Sequence, residues 1–189
     1  MLNIHDDKTF EDVSFAGQQN QRWDFQDCRF KRCDFSDSEF SNTKFVDCIF
    51  DGCNLSMIRL QGTTLNNVTF KNCKIMGVNF SQCQDFLFTV KFDNCILDYS
   101  SFMDKKMLKT PFIQSSLKEV TFTRANLSGS KFDNCNLNET VFRETDLTGV
   151  DFSTAYNYII DPELNDLRKA IFAMNGVAGL LVKYGIKIV

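Results

Sequence analysis

The chain has 189 residues, 43% of them apolar and 24% charged, with a formal net charge of −3. These are ordinary values for a soluble protein of one domain, and no apolar run reaches the roughly 18–20 residues that cross a bilayer. Less ordinary are 20 Phe against one Trp, four Tyr, two Pro and a single His.

At the N-terminus, Met1 to Asp7 offers neither the basic flank nor the apolar stretch of a signal peptide. That predicts a cytoplasmic location, where the eight cysteines stay reduced. Phe10 and Phe15 open a five-residue beat, but Trp23 falls where a small residue is due, so Gly17 to Trp23 is expected to form an unfinished first coil or a lid. From Phe25 to Phe80 every fifth residue is apolar, and the beat resumes without a miss from Phe92 to Phe152. A second, small-residue beat runs two places earlier, through Cys28, Cys33, Ser38, Thr43, Cys48 and Cys53 and later Cys95, Ser100, Ser115, Ala125, Ser130 and Cys135. Inward spacings of three and two in turn match neither the 3.6 period of a helix nor the 2 of a strand. A chain that points inward at both beats turns a corner about every five residues, and such internal periodicity marks a repeat architecture.

Two places break the pattern. The step from Phe80 to Leu87 is seven residues, so the 81–87 segment is expected to bulge or kink the rod; a 20-residue coil is expected to align Phe30, Phe50 and Phe70 on one wall and Phe92, Phe112, Phe132 and Phe152 on another. Lys105 occupies an inward small-residue slot, and with Pro111 nearby the stretch Asp104 to Pro111 is expected to depart from regular geometry. After Phe152 the beat ends. Asp161-Pro162-Glu163 has the grammar of a helix start, with Leu164, Leu167 and Ile171 at helical spacing behind it. Residues 1–157 thus read as a solenoid and 158–189 as a helical cap that covers the last open rung. The apolar residues of the tail, Leu167, Ile171, Leu180, Leu181, Tyr184, Ile186 and Ile188, are the candidate interface of a two-fold homodimer.

Stretches such as Ala125-Asn126-Leu127-Ser128-Gly129 and Cys135-Asn136-Leu137-Asn138-Glu139 resemble the A(D/N)LXX unit of the pentapeptide-repeat family, over roughly residues 8 to 157. The resemblance implies an all-β fold, a right-handed quadrilateral β-helix with four repeats per coil. The repeat core, the Ser101-Phe102-Met103 to Phe112 stretch and the tail Ala178 to Ile186 are also similar to the quinolone-resistance members. That similarity implies action on DNA gyrase or topoisomerase IV as a DNA-mimicking rod.

Catalytic chemistry finds little footing. All eight cysteines lie on the small-residue beat and read as buried filler, without the paired CxxC spacing of zinc ligands. His5 is the only histidine, and no GxxxxGK[ST] or GxGxxG run offers a phosphate cradle. No catalytic residue, metal or cofactor is expected.

Charge is banded instead. Residues 1–55 hold eleven acids and six bases, residues 56–131 five and ten, and residues 132–157 five acids and one base. The last band, Asp133, Glu139, Glu144, Asp146 and Asp151, is the candidate partner surface. In a C-terminal dimer it would form a central acidic saddle able to engage a basic groove. The basic bands beside it oppose duplex mimicry, since B-DNA carries about 20 charges over 34 Å. The leading expectation is a non-catalytic rod presented to a protein partner, with topoisomerase modulation as the alternative, and with neither direct nucleic-acid binding nor membrane contact.

Overall fold

The computed structural model describes residues 3–187 and shows a parallel β-solenoid of four walls. Nine short strands stack on one wall, from Thr9–Glu11 to Ile171–Phe172, and four on the preceding wall, from Asn3–Asp6 to Thr64–Asn66. The other rungs are joined by single parallel bridges, such as Asp34 with Asn54 and Glu39 with Arg59. At an inter-strand spacing of about 4.8 Å, eight steps give a rod of about 38 Å.

The two beats explain the coil. Central residues fill the interior: Phe25, Phe30, Phe35, Phe40 and their successors are all but inaccessible to solvent. On the nine-stranded wall Phe10, Phe30, Phe50, Phe70, Phe92, Phe112, Phe132, Phe152 and Phe172 form one continuous stack, with ring centroids 4.6–5.4 Å apart. Burial of each ring contributes about 1.5–3 kcal/mol before chain entropy is subtracted. The small beat does more than fill space. Cys28, Cys33, Cys48, Cys53, Cys73, Cys95 and Cys135 each point a thiol at a central residue's carbonyl in the coil below, as Cys135 does to Phe112 at 3.3 Å. Hydroxyls do the same elsewhere, Thr63 to Phe40 at 2.7 Å and Ser130 to Met107 at 2.9 Å. These carbonyls thus take a short side-chain donor from the coil above, and Cys, Ser and Thr all serve in that role.

Corners are made by residues with left-handed backbone, among them Asp27 (φ 52°), Asp47 (φ 53°) and Lys109 (φ 55°). Only short side chains adopt this conformation readily, yet here the rung hydrogen bonds on both sides hold it.

Several expectations are corrected. The seven-residue step does not divert the aromatic stack: it lengthens one coil to 22 residues, so Phe92 lands over Phe70 (5.3 Å, 9° between rings) and both Phe runs share a wall. The excess bulges out at one corner, and Phe88 rather than Leu87 turns inward, being 8% against 54% exposed. Asp104 to Pro111 is regular, with Asp104 N donating to Thr123 O and Met107 N to Asn126 O. Gly17 to Trp23 is not an unfinished coil: Gln19 bridges Glu39 and Arg22 N donates to Ser41 O. Trp23 is accommodated because the first coil carries Asn20 where the coils above have Phe40 and Leu60, and the indole packs against His5, Phe15, Phe25 and Phe40.

Asp161 does not start a helix, and the ladder runs past residue 157. Asp166 bridges Asp146, and Phe172 pairs with Phe152. Stacking onto an existing rung satisfies these backbone groups without the cost of nucleating a helix. Asp161 Oδ1 instead accepts the amide of Glu163 in a turn. In the described part of the tail, 3-10 turns come at Met174–Leu180 and Val182–Tyr184.

Candidate functional site

Because twenty residues make one coil, a band of sequence becomes a ring around the rod. The five acids of 132–157 are therefore spread around the rod, on two walls and two corners, and do not meet on one face. Asp133 and Asp151 alone share a wall, and both lie beside Lys131, at 3.4 and 3.9 Å. Hydrogen bonding from Ser153 holds the Asp151 carboxyl below its ordinary range. Glu144 pairs with Arg143 at 3.7 Å, Asp146 accepts the amide of Thr148, and Glu139 stands exposed at a corner. At the corners, charges also neutralise one another from rung to rung, as in Arg32 with Asp12 and Arg124 with Asp104.

The strongest departure from the regular rod is at the 22-residue coil. Lys105 points into the interior and is 1% exposed. Its ammonium donates to the Cys83 carbonyl and to Asp85 Oδ1 at 2.7 Å, and sits 5.2 Å from the centroid of the Phe88 ring. In neighbouring rungs of this wall the equivalent carbonyl takes a backbone amide, Gln84 N to Thr63 O and Asn126 N to Lys105 O. Where the bulge interrupts that ladder, the lysine takes the carbonyl. A buried cation needs such partners. The bulge so fixed carries Phe86 and Leu87 outward, 78% and 54% exposed. The sequence showed both irregularities; that they answer one another, 22 residues apart, is visible only once Cys83 and Lys105 are stacked.

At the C-terminal end the tail folds back over the last coil. Ile160 N donates to Gly179 O, Lys183 bridges Asp161 and Glu163 at 2.7 Å each, and the Tyr184 hydroxyl donates to Glu163 at 3.0 Å. Hydrogen bonding from Lys183 holds both carboxyls below their usual range. Leu167 and Leu180 pack on the core as a lid, and Leu181 is half-buried. Ile171, Tyr184 and Ile186 are more than half exposed, and Met174 is 90% exposed. Ile188 lies outside the described residues.

Among the described residues no group of His, Cys, Asp and Glu could hold a metal ion, and no helix is long and apolar enough to cross a membrane. The thiols of Cys48, Cys83 and Cys135 are each pushed up to about 12 by burial, the reverse of what a reactive cysteine requires.

Residues 23–102 and 85–155 match the family described as "Pentapeptide repeat region". No curated protein matches the sequence. Among solved structures, a trypsin-treated variant of QnrB1, a plasmid-mediated fluoroquinolone resistance protein, is similar over 100% of both chains at 19% identity and a TM-score of 0.65. A second such variant gives 18% identity, 96% and 100% coverage and a TM-score of 0.68. HetL, a pentapeptide repeat protein involved in heterocyst differentiation regulation in Nostoc sp. strain PCC 7120, gives 12%, 90% and 89%, and 0.60. At these identities the likeness is one of fold.

Proposed function

The chain belongs to the pentapeptide-repeat family, and from that premise we propose that it works in the cytoplasm as a non-catalytic interaction rod, presenting its walls to a protein partner. The observation that carries this reading is the exposure of large apolar side chains on a frame of stacked, hydrogen-bonded rungs. Phe86 stands 78% exposed beside Leu87 at 54%, and adjoining apolar exposure of this kind marks interaction sites. The interior is filled, so recognition falls to the outside of the walls. Homodimerisation through the C-terminal end is part of this reading: Ile171 on the last strand and Tyr184 and Ile186 in the tail after it are each more than half exposed. Quantitative affinity capture with wild-type protein beside F86S/L87S and I186D variants tests it. A partner retained by the wild type and lost by one variant supports the proposal; identical profiles for all three would refute it.

A second reading, modulation of DNA gyrase or topoisomerase IV, is favoured by the fold shared with the fluoroquinolone resistance protein QnrB1. Dispersal of the acids around the rod weighs against a DNA-mimicking face. Supercoiling by gyrase with and without a fluoroquinolone, across a salt series, decides it: salt-sensitive inhibition or drug protection supports the reading, and no effect at any salt removes it.

A further inference from the structure

The 22-residue coil gathers charge as well as apolar surface. Beside the bulge, three exposed lysines form no ion pair among the described residues: Lys91 on the nine-stranded wall, and Lys106 and Lys109 one rung above. Leu87 and Lys109 are the left-handed corner residues of successive coils, so Phe86 and Leu108 hold the same place before that corner. Leu108 is also more than half exposed. The nearby acids are engaged or turned away. Asp85 binds Lys105, Asp93 lies at the far end of its strand beside the next corner, and Asp133 and Asp151 flank Lys131 higher up. Below the bulge the facing residues, Thr64, Asn66, Asn67 and Thr69, are uncharged. Carboxylates return on this corner at Asp47 and Asp27, about 10 and 14 Å below Leu87 at the rung spacing.

We propose that this patch docks a short acidic segment of a partner protein. A large apolar side chain of the segment packs on Phe86, Leu87 and Leu108, and its carboxylates meet Lys91, Lys106 and Lys109. Charge selects the occupant. An apolar centre is desolvated on binding, while unpaired cations at its rim attract and orient an acidic chain. The lower corner limits the size of that occupant. An anionic bilayer or a nucleic-acid strand laid along the corner would also meet Asp47 and Asp27, and like charge would oppose it. A segment a few residues long reaches only the uncharged positions between, and a screening length of about 8 Å separates it from those acids. The inference rests on the interaction-rod reading and names the chemistry of the partner.

The test is selection of a random dodecapeptide phage library on the immobilised full chain at low salt. Sequences enriched on the wild type should combine an aromatic or aliphatic residue with several carboxylates. An enriched peptide, made synthetically, should lose at least about tenfold in affinity on F86S/L87S, on K106E/K109E, and on the wild type at high salt. K106E/K109E should enrich basic sequences in place of acidic ones. Acids suit both positions: Asp146 holds the wall place of Lys106 two coils on, and Glu119 and Glu139 occupy left-handed corners. Urea midpoints should therefore match the wild type. No enrichment, enrichment of neutral or basic sequences on the wild type, or unchanged affinity on either variant would overturn the proposal. So would phosphatidylserine vesicles, a single-stranded oligonucleotide or a second copy engaging these residues in place of such peptides. Failed selection beside a captured partner that is lost with F86S/L87S or I186D would overturn this inference alone and leave the interaction rod standing.

Discussion

The ammonium of Lys105 lies 2.7 Å from a carboxylate oxygen of Asp85, one coil below, yet the lysine is 1% exposed and the aspartate side chain 76%. The pair joins the interior to the surface and couples two local irregularities. With two additional residues the corner opens, and with a long cation the gap is closed.

Lys105→Met should therefore destabilise the protein by about 1–3 kcal/mol, because the Cys83 carbonyl is left buried without a donor. Asp85→Asn should cost no more than about 1 kcal/mol, its carboxylate being mostly in water. Deleting Phe86 and Leu87 returns the coil to 20 residues, and in that background Lys105→Ala should cost far less than in the parent. Urea unfolding of the four proteins of that cycle gives the coupling directly.

Phe112 sits inside the aromatic stack, 4.7 Å from Phe132 and 5.4 Å from Phe92. Phe112→Ala should cost about 3–5 kcal/mol, measured by the same unfolding experiment. Phe112→Leu should cost much less, since leucine already fills the equivalent place on other walls.

The tail contacts should depend on pH. Asp161 and Glu163 have folded-state affinities for protons below their unfolded values of about 3.9 and 4.3, because Lys183 donates to both. Depressed carboxyls contribute stability above the unfolded values and lose it as pH falls through the folded ones. Pepsin should consequently begin to cut the segment after Phe172 below about pH 4, while the coils stay resistant. In Lys183→Ala the tail should be cut with much less pH dependence.

All eight cysteines are buried and free. At pH 8 none should react rapidly with a disulfide reagent in the native state, and all eight should react in guanidinium. A fast-reacting thiol in the folded protein would contradict the packing of the small-residue slots.

Much of this architecture was legible in the sequence, and the exceptions share a cause. The five-residue beat identifies Phe25 or Leu117 as inward because every slot repeats the same choice. At Phe86-Leu87-Phe88 three apolar residues adjoin, and composition does not say which turns in; the wall does, by placing Leu87 at the left-handed corner (φ 58°) and so directing Phe88 to the core. Asp161-Pro162-Glu163 is compatible with a helix start and with a turn, and the rung beneath it selects the turn. The acidic band from Asp133 to Asp151 is continuous along the chain but not in space, since a period of 20 carries neighbours to different walls.

The left-handed corners carry a consequence for descent. Twenty-four non-glycine residues adopt this conformation among the described positions, including Arg22, Met57, Tyr99 and Glu119. At about 1 kcal/mol each, their combined strain exceeds the net stability of a typical domain, so no coil would hold its shape outside the stack. Within the stack, that enforced geometry makes the corners indifferent to the chemistry of the side chain. Lineages can then diverge at nearly every outward position while inheriting the same frame, and 12–19% identity accompanies a shared solenoid. Kinship in such a lineage is written in the interior, and specialisation is written on the corners.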